Sequence, residues 1–338
     1  MTGVGDFQNS DPPPGRRAVA LTLMLVLVLS AGAALMWWQA ERAQQELQRQ
    51  TILRAEQRVQ QLAAVLAAQV QALMGSIDVV LLQLRREWRG DPAAFDPVAR
   101  SLVLALPPGS FTHVSVADAV GDTVYNSIAP AERVNVADRE HFRVHLDKGG
   151  DRLHVGQAVQ SRLAHDIWTV IVNRPLLKGG RFAGTLNVSV STEYFAHQLA
   201  ALPLGKQSIV AMLHGDGSFI ARSREHDRAM GRKLPAERPF LRDRSAMQGL
   251  FHAVGEVDGV TRLYAWTRLP DLGIVVAVGL AEDEALAPLA AGRERERLVF
   301  AVLLAVVLAA GAAGAWLLWR GGGRGGGGGG GGNPPPGG

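Results

Sequence analysis

The stretch that decides the fold runs from Val114 to Phe195. It reads as strand, strand, short helix and three more strands: Val114–Ala117 (VSVA), Thr123–Ser127 (TVYNS), Asp138–Asp147 (DREHFRVHLD), Leu153–Val159 (LHVGQAV), Ile167–Val172 (IWTVIV) and Thr185–Val190 (TLNVSV). The last alternates Leu186, Val188 and Val190 with polar residues, as a half-buried strand does. Gly121-Asp122, Gly149-Gly150 and Lys178-Gly179-Gly180 supply the turns. Phe142 and Leu146 are spaced four apart, which predicts the helix, with Asp138 as its N-cap. Its turns and helix carry more arginine and histidine than a plain sheet needs.

Working outward, a second module repeats the theme. Ile209–Leu213 and Phe219–Ala221 flank Gly215-Asp216-Gly217, Thr261–Trp266 follows Asp258-Gly259, and Ile274–Val278 follows Asp271-Leu272-Gly273. These predict a second antiparallel sheet with hairpin turns. Between them, Arg222 to Arg244 reads as a basic, solvated connection. Upstream, Val59, Leu62, Leu66, Val70, Leu73, Ile77, Val80, Leu84 and Trp88 recur every three or four residues on one helical face. The glutamine- and arginine-rich part before them predicts a stalk that pairs with a second copy of the chain.

Two apolar runs bracket all of this. Ala18–Trp38 and Leu298–Trp319 contain no charged residue and end in tryptophans, so both are expected to span a bilayer. Arg16 and Arg17 before the first and Arg320 and Arg324 after the second place both tails in the cytoplasm. The expected organisation is a disordered tail (1–17), a first span (18–38), a long signalling helix (39–90), a membrane-distal module (91–198) and a membrane-proximal module (199–284). A connecting helix (285–297), a second span (298–319) and a Gly/Pro-rich tail (320–338) complete it.

The 338 residues carry a net charge of +4 without a basic stripe or interleaved aromatics, which speaks against a nucleic-acid partner. There is no cysteine. No nucleophile elbow, pair of catalytic acids or zinc-protease motif occurs, so no catalysis and no cofactor are expected. His141 and His145 stand four apart but lack a third ligand and an acidic partner for zinc. Gly149-Gly150-Asp151 continues as Arg152-Leu153 and is no cyclase signature, and the terminal glycines lack the lysine and serine of a phosphate loop.

Several segments, in this order, carry a resemblance: Ala137-Asp138-Arg139-Glu140-His141-Phe142, Val155-Gly156-Gln157-Ala158-Val159, Ser161-Arg162, Trp168 to Arg174 and Gly180-Arg181-Phe182-Ala183-Gly184. Asp216-Gly217, Gly231-Arg232, Val257-Asp258-Gly259 and Leu280-Ala281-Glu282-Asp283-Glu284 extend it. Over roughly residues 40–295 the chain resembles the double Cache (PDC-type) sensor domains of bacterial membrane signalling proteins, found ahead of diguanylate cyclases and histidine kinases. The resemblance implies an α+β fold: two tandem PAS-like antiparallel-sheet modules on a long N-terminal helix, flanked by two transmembrane helices. It implies a homodimeric, multi-pass inner-membrane receptor with a periplasmic sensor. Family members continue past the second span into a signalling domain; here a glycine-rich tail follows, which is expected to reflect a truncated or frameshifted gene end.

In such domains the ligand lies between the distal sheet and the segment joining its second and third strands. The resemblance therefore points to Arg139, His141, Arg162, Trp168, Arg174 and Tyr125 as ligand-binding residues. Arginine offers a rigid donor fork matched to a carboxylate, and an aromatic wall encloses an apolar body. These cations predict a small anionic ligand of the organic-acid type. Amino-acid-binding relatives place an aspartate near the end of the last strand, where this chain has Asn187, Ser189 and Ser191. The rival expectation is a non-catalytic, membrane-anchored interaction protein that binds a periplasmic partner or lipid.

Overall fold

The computed structural model describes residues 14–164 and 167–322, and the side chains of 14–19, 286–297, 315 and 317–322 are not considered. Of the expected tails 1–17 and 320–338, residues 1–13 and 323–338 lie outside the described residues, whereas 14–17 and 320–322 are helical. Two compact units result, one of residues 1–50 with 286–338 and one of Thr51–Ala285.

The predicted first span and signalling helix form one helix, α1 (Pro14–Glu87, 74 residues). An 18-residue window in it has a mean hydropathy of 2.2 and is not buried, so among the described residues one helix is long and apolar enough to cross a membrane. From Val59 onward its character changes. Val59, Ala63, Leu66, Val70, Met74, Ile77, Leu81 and Leu84 are all buried, spaced three or four apart along one stripe. Burying each of the larger of these side chains stabilises by roughly 1.5–3 kcal/mol.

α2 (Pro92–Val103) follows a turn capped by Asp91, whose carboxylate accepts from the Ala93 and Ala94 amides. The first sheet contains β1 (Phe111–Asp118), β2 (Thr123–Asn126), β3 (His154–Gln160), β4 (Trp168–Lys178) and β5 (Arg181–Ser191), with α3 (Glu140–Lys148) between β2 and β3. Its order is β2-β1-β5-β4-β3, antiparallel throughout. β5 lies so close to β1 that a Cβ at Gly184, whose φ is +136°, would run into the Ala117 carbonyl oxygen.

Ser191 caps α4 (Thr192–Ala200) through the Tyr194 amide, and α4 leads into the second sheet. That sheet repeats the first: β6 (Ile209–His214), β7 (Phe219–Arg222), β8 (Gln248–Val254), β9 (Thr261–Leu269) and β10 (Ile274–Ala281), in the order β7-β6-β10-β9-β8. The short helices α5 (His226–Ala229) and α6 (Pro239–Arg242) lie within the predicted basic connection, and α7 (Glu282–Gly322) follows β10. α7 contains a shorter apolar segment, Leu298–Gly314. Within its unit, the Phe300 ring lies edge-on to Trp37 at 4.5 Å.

Strand alternation divides the first sheet into two unlike faces. Val114, Val116, Val170, Val172, Leu186, Val188 and Val190 join one hydrophobic cluster with the α1 stripe and with Val210, Met212, Val276 and Val278 of the second sheet. His113, Ser115, Ile171, Asn173, Asn187 and Ser189 occupy the alternate positions. Arg174, in step with Val170 and Val172, clamps the sheet to α1: Nε and Nη2 donate to the two Asp78 oxygens at 2.5 and 2.8 Å. Its Nη1 donates to Asp151 at 2.9 Å, and Arg85 of α1 binds both oxygens of the same carboxylate at 2.7 and 2.9 Å.

Three expectations fail locally. Asp138 does not cap α3; the N-cap position is Arg139, without a side-chain capping bond, because both Asp138 oxygens are held by Arg162. β8 was not anticipated, since QGLFHAV has few β-branched residues and follows a charged loop. Arg222 is not solvated: it is 1% exposed and bound to Asp258.

If the α1 stripe carries the fold, Leu81→Ala should cost about 2–5 kcal/mol, while Val79→Ala on the exposed side should cost almost nothing. Thermal unfolding of the two purified variants makes the comparison.

Candidate functional site

The polar face of the first sheet forms the floor of a pocket roofed by α3 and the segments before it. The space is about 470 Å³, part of it open to solvent. β1 contributes His113 and Ser115, β2 Thr123, β5 Asn187 and β4 Ile171; Arg139, His141 and Arg162 come from above. None of the lining residues is an aspartate or glutamate.

Arg139, His141 and Arg162 are thus brought together, but in different states. Arg162 is committed: its guanidinium donates to both Asp138 oxygens at 2.9 and 2.7 Å and to the Asn135 carbonyl at 2.6 Å. Arg139 is half-buried, and its guanidinium has no hydrogen-bond or ion-pair partner among the described residues. Burial and the neighbouring Arg162 both press against its charge and lower its pKa. An anion placed beside it would relieve both effects. His141 is buried at the N-terminal end of α3, and burial with the adjacent Arg139 holds it neutral, with a pKa of about 4.

Trp168 lies at a neighbouring groove of about 720 Å³, which Arg139, Gln157, Gly231 and Lys233 also line. The other two expected residues are placed elsewhere. Arg174 faces α1, as its step with Val170 and Val172 requires. Tyr125 packs against α2: its hydroxyl donates to Asp96 at 2.9 Å and its ring meets Phe95 at 4.9 Å. The cause is a β-bulge. Val116 pairs with Tyr125 but Ala117 with Thr123, so Val124 is the extra residue and Tyr125 turns to the face opposite Thr123.

His113, Ser115 and Asn187 were missed as wall residues. A signal existed: polar residues at every second position of β1 and β5 imply that one face of a central strand pair does not meet an apolar layer. His113 Nε2 lies 3.0 Å from the Ser189 hydroxyl and Nδ1 3.0 Å from that of Thr112. Behind the pocket, Asn173 Nδ2 donates to the His141 carbonyl at 2.7 Å, which leaves its Oδ1 facing His145 Nε2 at 3.3 Å.

The second sheet has its own pocket of about 410 Å³, mostly apolar, with Phe219, Phe240, Phe251 and Tyr264 in its wall. Beside it Asp258 is clasped by Arg222 at 2.6 Å and by Arg262 at 2.9 and 2.6 Å. Burial raises the Asp258 pKa and these bonds lower it; the net effect is a strong depression. Both arginines are 1% exposed. Among the described residues no group of three or more His, Asp or Glu side chains is arranged to hold a metal ion.

Comparison with known proteins agrees with this geometry. Residues 192–279 match the family described as dCache_1_like, histidine kinase sensor domain. Residues 51–285 have a double-Cache sensor fold. The extracellular domain of rpHK1S-Z16, a protein assigned as a histidine kinase, is 26% identical with a TM-score of 0.63, over 70% of this chain and 98% of that one. The corresponding domain of mmHK1S-Z3, assigned likewise, is 14% identical with a TM-score of 0.55, over 71% and 97%. The ligand-binding domain of the amino-acid chemoreceptor PctB of Pseudomonas aeruginosa PAO1, in complex with L-Arg, is 15% identical with a TM-score of 0.52, over 75% and 99%. No curated protein sequence matches the chain significantly. All of these matches are sensor or ligand-binding domains rather than catalytic ones.

Two buried histidines and the half-buried His154 give this double-Cache unit a defined acid sensitivity. His113 and His141 have pKa values of about 4 and His154 about 3, in each case chiefly because burial disfavours the cation. The unfolded chain takes up these protons near pH 6.5, whereas the fold refuses them. Their contribution is therefore complete above about pH 6.5 and is lost as the pH falls towards 4. Melting temperatures measured from pH 8 to 4 should decline in that window, and less so in His113→Gln. Asp258→Asn should destabilise by about 3–5 kcal/mol at neutral pH by leaving buried guanidinium groups without their counter-charge, readable in denaturant unfolding.

Proposed function

We propose that this chain is a membrane-anchored signal-transduction receptor whose first, membrane-distal sheet binds a small carboxylate-bearing ligand. The observation that carries the reading is the Arg139 guanidinium, unpaired among the described residues, on a pocket that no carboxylate lines. A bidentate anion would satisfy two of its donors at once. The sensor fold and its likeness to extracellular domains support a receptor, and the apolar segment of α1 supports a membrane anchor.

In this reading 18–38 and 298–319 both span the inner membrane, and 91–198 and 199–284 are the distal and proximal PAS-like modules. The periplasmic unit works as a homodimer through α1, and the signal reaches a cytoplasmic output of the histidine-kinase or diguanylate-cyclase type. The route inward follows the covalent chain. Ile171 of β4 lines the pocket, and three residues on Arg174 grips Asp78 of α1. A ligand that tightens the pocket thus acts on a strand already fixed to the helix. It shifts the receptor only by its preference for one state; a tenfold preference supplies about 1.4 kcal/mol, enough to bias a nearly balanced equilibrium.

A thermal-shift screen of the purified chain against small carboxylates, amino acids, amines and sugars tests the reading. A carboxylate at a hundred times its Kd should add about 2.7 kcal/mol of stability, and Arg139→Ala should abolish the shift. A carboxylate response untouched by Arg139→Ala would defeat this assignment of the site.

A further inference from the structure

The pocket floor contains one more unmet group. Asn187 is buried in the middle of the sheet, between Ser115 on β1 and Asn173 on β4. Its Nδ2 faces the Ser115 carbonyl and hydroxyl oxygens, both at 3.4 Å. The carbonyl can only accept, so that end of the amide is the nitrogen and the other end is Oδ1. Among the described residues, Oδ1 is buried and accepts from no group. A buried acceptor without a donor is costly, and on a residue that lines a ligand pocket it is met when the amide turns toward a donor that the ligand brings.

We propose that the ligand is a small hydroxy-carboxylate, its carboxylate on Arg139 and its hydroxyl donating to Asn187 Oδ1. This rests on the carboxylate reading above and narrows it. An amino acid would also bring a donor, but as an ammonium, and the two guanidinium groups on the pocket oppose a cation. Arg139 and Arg162 both lie on it, and no lining residue is acidic. Asp138, the adjacent carboxylate, has both oxygens occupied by Arg162. Glu140, with Asp138, lines the adjoining recess that shares Arg139, His141 and Arg162; it is exposed and accepts from Gln157 Nε2 at 3.2 Å. His113 and His141 are neutral and add no negative charge. A neutral amide oxygen suits a hydroxyl donor, and the neutral polar floor of Ser115, Thr123 and His113 tolerates its lone pairs. A plain carboxylic acid would leave Oδ1 unmet, and a dicarboxylate would find only one uncommitted guanidinium.

Titration calorimetry of the full chain in detergent against three matched series tests this. The series are acetate, glycolate and glycine; propionate, lactate and alanine; and butyrate, 2-hydroxybutyrate and 2-aminobutyrate. In at least one, the hydroxy acid should bind about tenfold or more tighter than the plain acid, the discrimination expected when one hydrogen bond to a buried group is lost. The amino acid should be the weakest of its three. Asn187→Asp should reverse the order, weakening the hydroxy acid and admitting the amino acid. Asn187→Ser, a milder change, should collapse the hydroxyl preference while leaving the plain acid's affinity intact. Equal binding of plain and hydroxy acids, or an amino acid binding best to the unaltered chain, would overturn this inference and leave the carboxylate reading standing. If no member of any series binds, the carboxylate reading falls and this inference with it.

Discussion

A single helical stripe holds the two sheets in order. Each sheet is apolar on one face, and those faces join one continuous cluster with Val59 to Leu84 of α1. A helix alternates its contacts every three or four residues and a strand every two, so only one face of each strand can share that cluster. Everything on the other face must find different cover. The second constraint is electrostatic: Asp78, Arg174, Asp151 and Arg85 form a chain of ion pairs that pins β4 and the α3–β3 connection to α1. Arg174 and Asp78 are mostly out of solvent, so breaking either partner strands a charge rather than returning it to water.

From that division follows the contrast between two sheets of identical order. The outward face of the second sheet is covered by its own apolar layer, in which Ala211, Leu213, Phe219, Trp266, Val275 and Ala277 pack with Ala229, Met230, Phe240 and Val257. The corresponding face of the first sheet presents His113, Ser115, Asn173, Asn187 and Ser189 to α3 and the pocket. One topology thus carries an apolar recess in one copy and a polar one in the other. Strand pairing fixes where side chains point, while their chemistry decides what kind of surface the face presents.

The sequence made the architecture legible wherever periodicity was strong. The α1 stripe, β5 and the paired modules could all be read from spacing, because burial on one face imposes it. The site was legible in part. Arg139, His141 and Arg162 line one pocket, whereas alternation alone puts Arg174 on the other face, in step with Val170 and Val172. Tyr125 could not have been excluded this way. Nothing in Thr123-Val124-Tyr125 announces a bulge, and one extra residue reverses the face of all that follows. Asp138 was misjudged for another reason: a capping residue competes with distant partners, and a bidentate arginine is the stronger claim. β8 has a propensity too weak to stand out and is ordered by its pairing with β9.

Unmet hydrogen-bonding capacity follows the same division. Among the described residues, the buried side-chain atoms without a partner are Ser110 Oγ, His145 Nδ1, His154 Nε2, Thr169 Oγ1, Thr185 Oγ1, Asn187 Oδ1 and Trp266 Nε1. Trp266 apart, they belong to the first sheet, the helix over it or, for Ser110, the residue just before β1. Each such group costs about 1–3 kcal/mol, so the first sheet gives up stability that the second retains. A fold under no other demand would fill that face with apolar side chains, as its second copy does. Sensing supplies the demand: a recess already satisfied by its own protein would gain nothing from a ligand, and only free energy that differs between empty and occupied states can move a receptor. On the proposed reading, the Arg139 guanidinium and Asn187 Oδ1, both unpartnered among the described residues, are where that difference would be available, and the Arg174–Asp78 clamp is where it would first be felt.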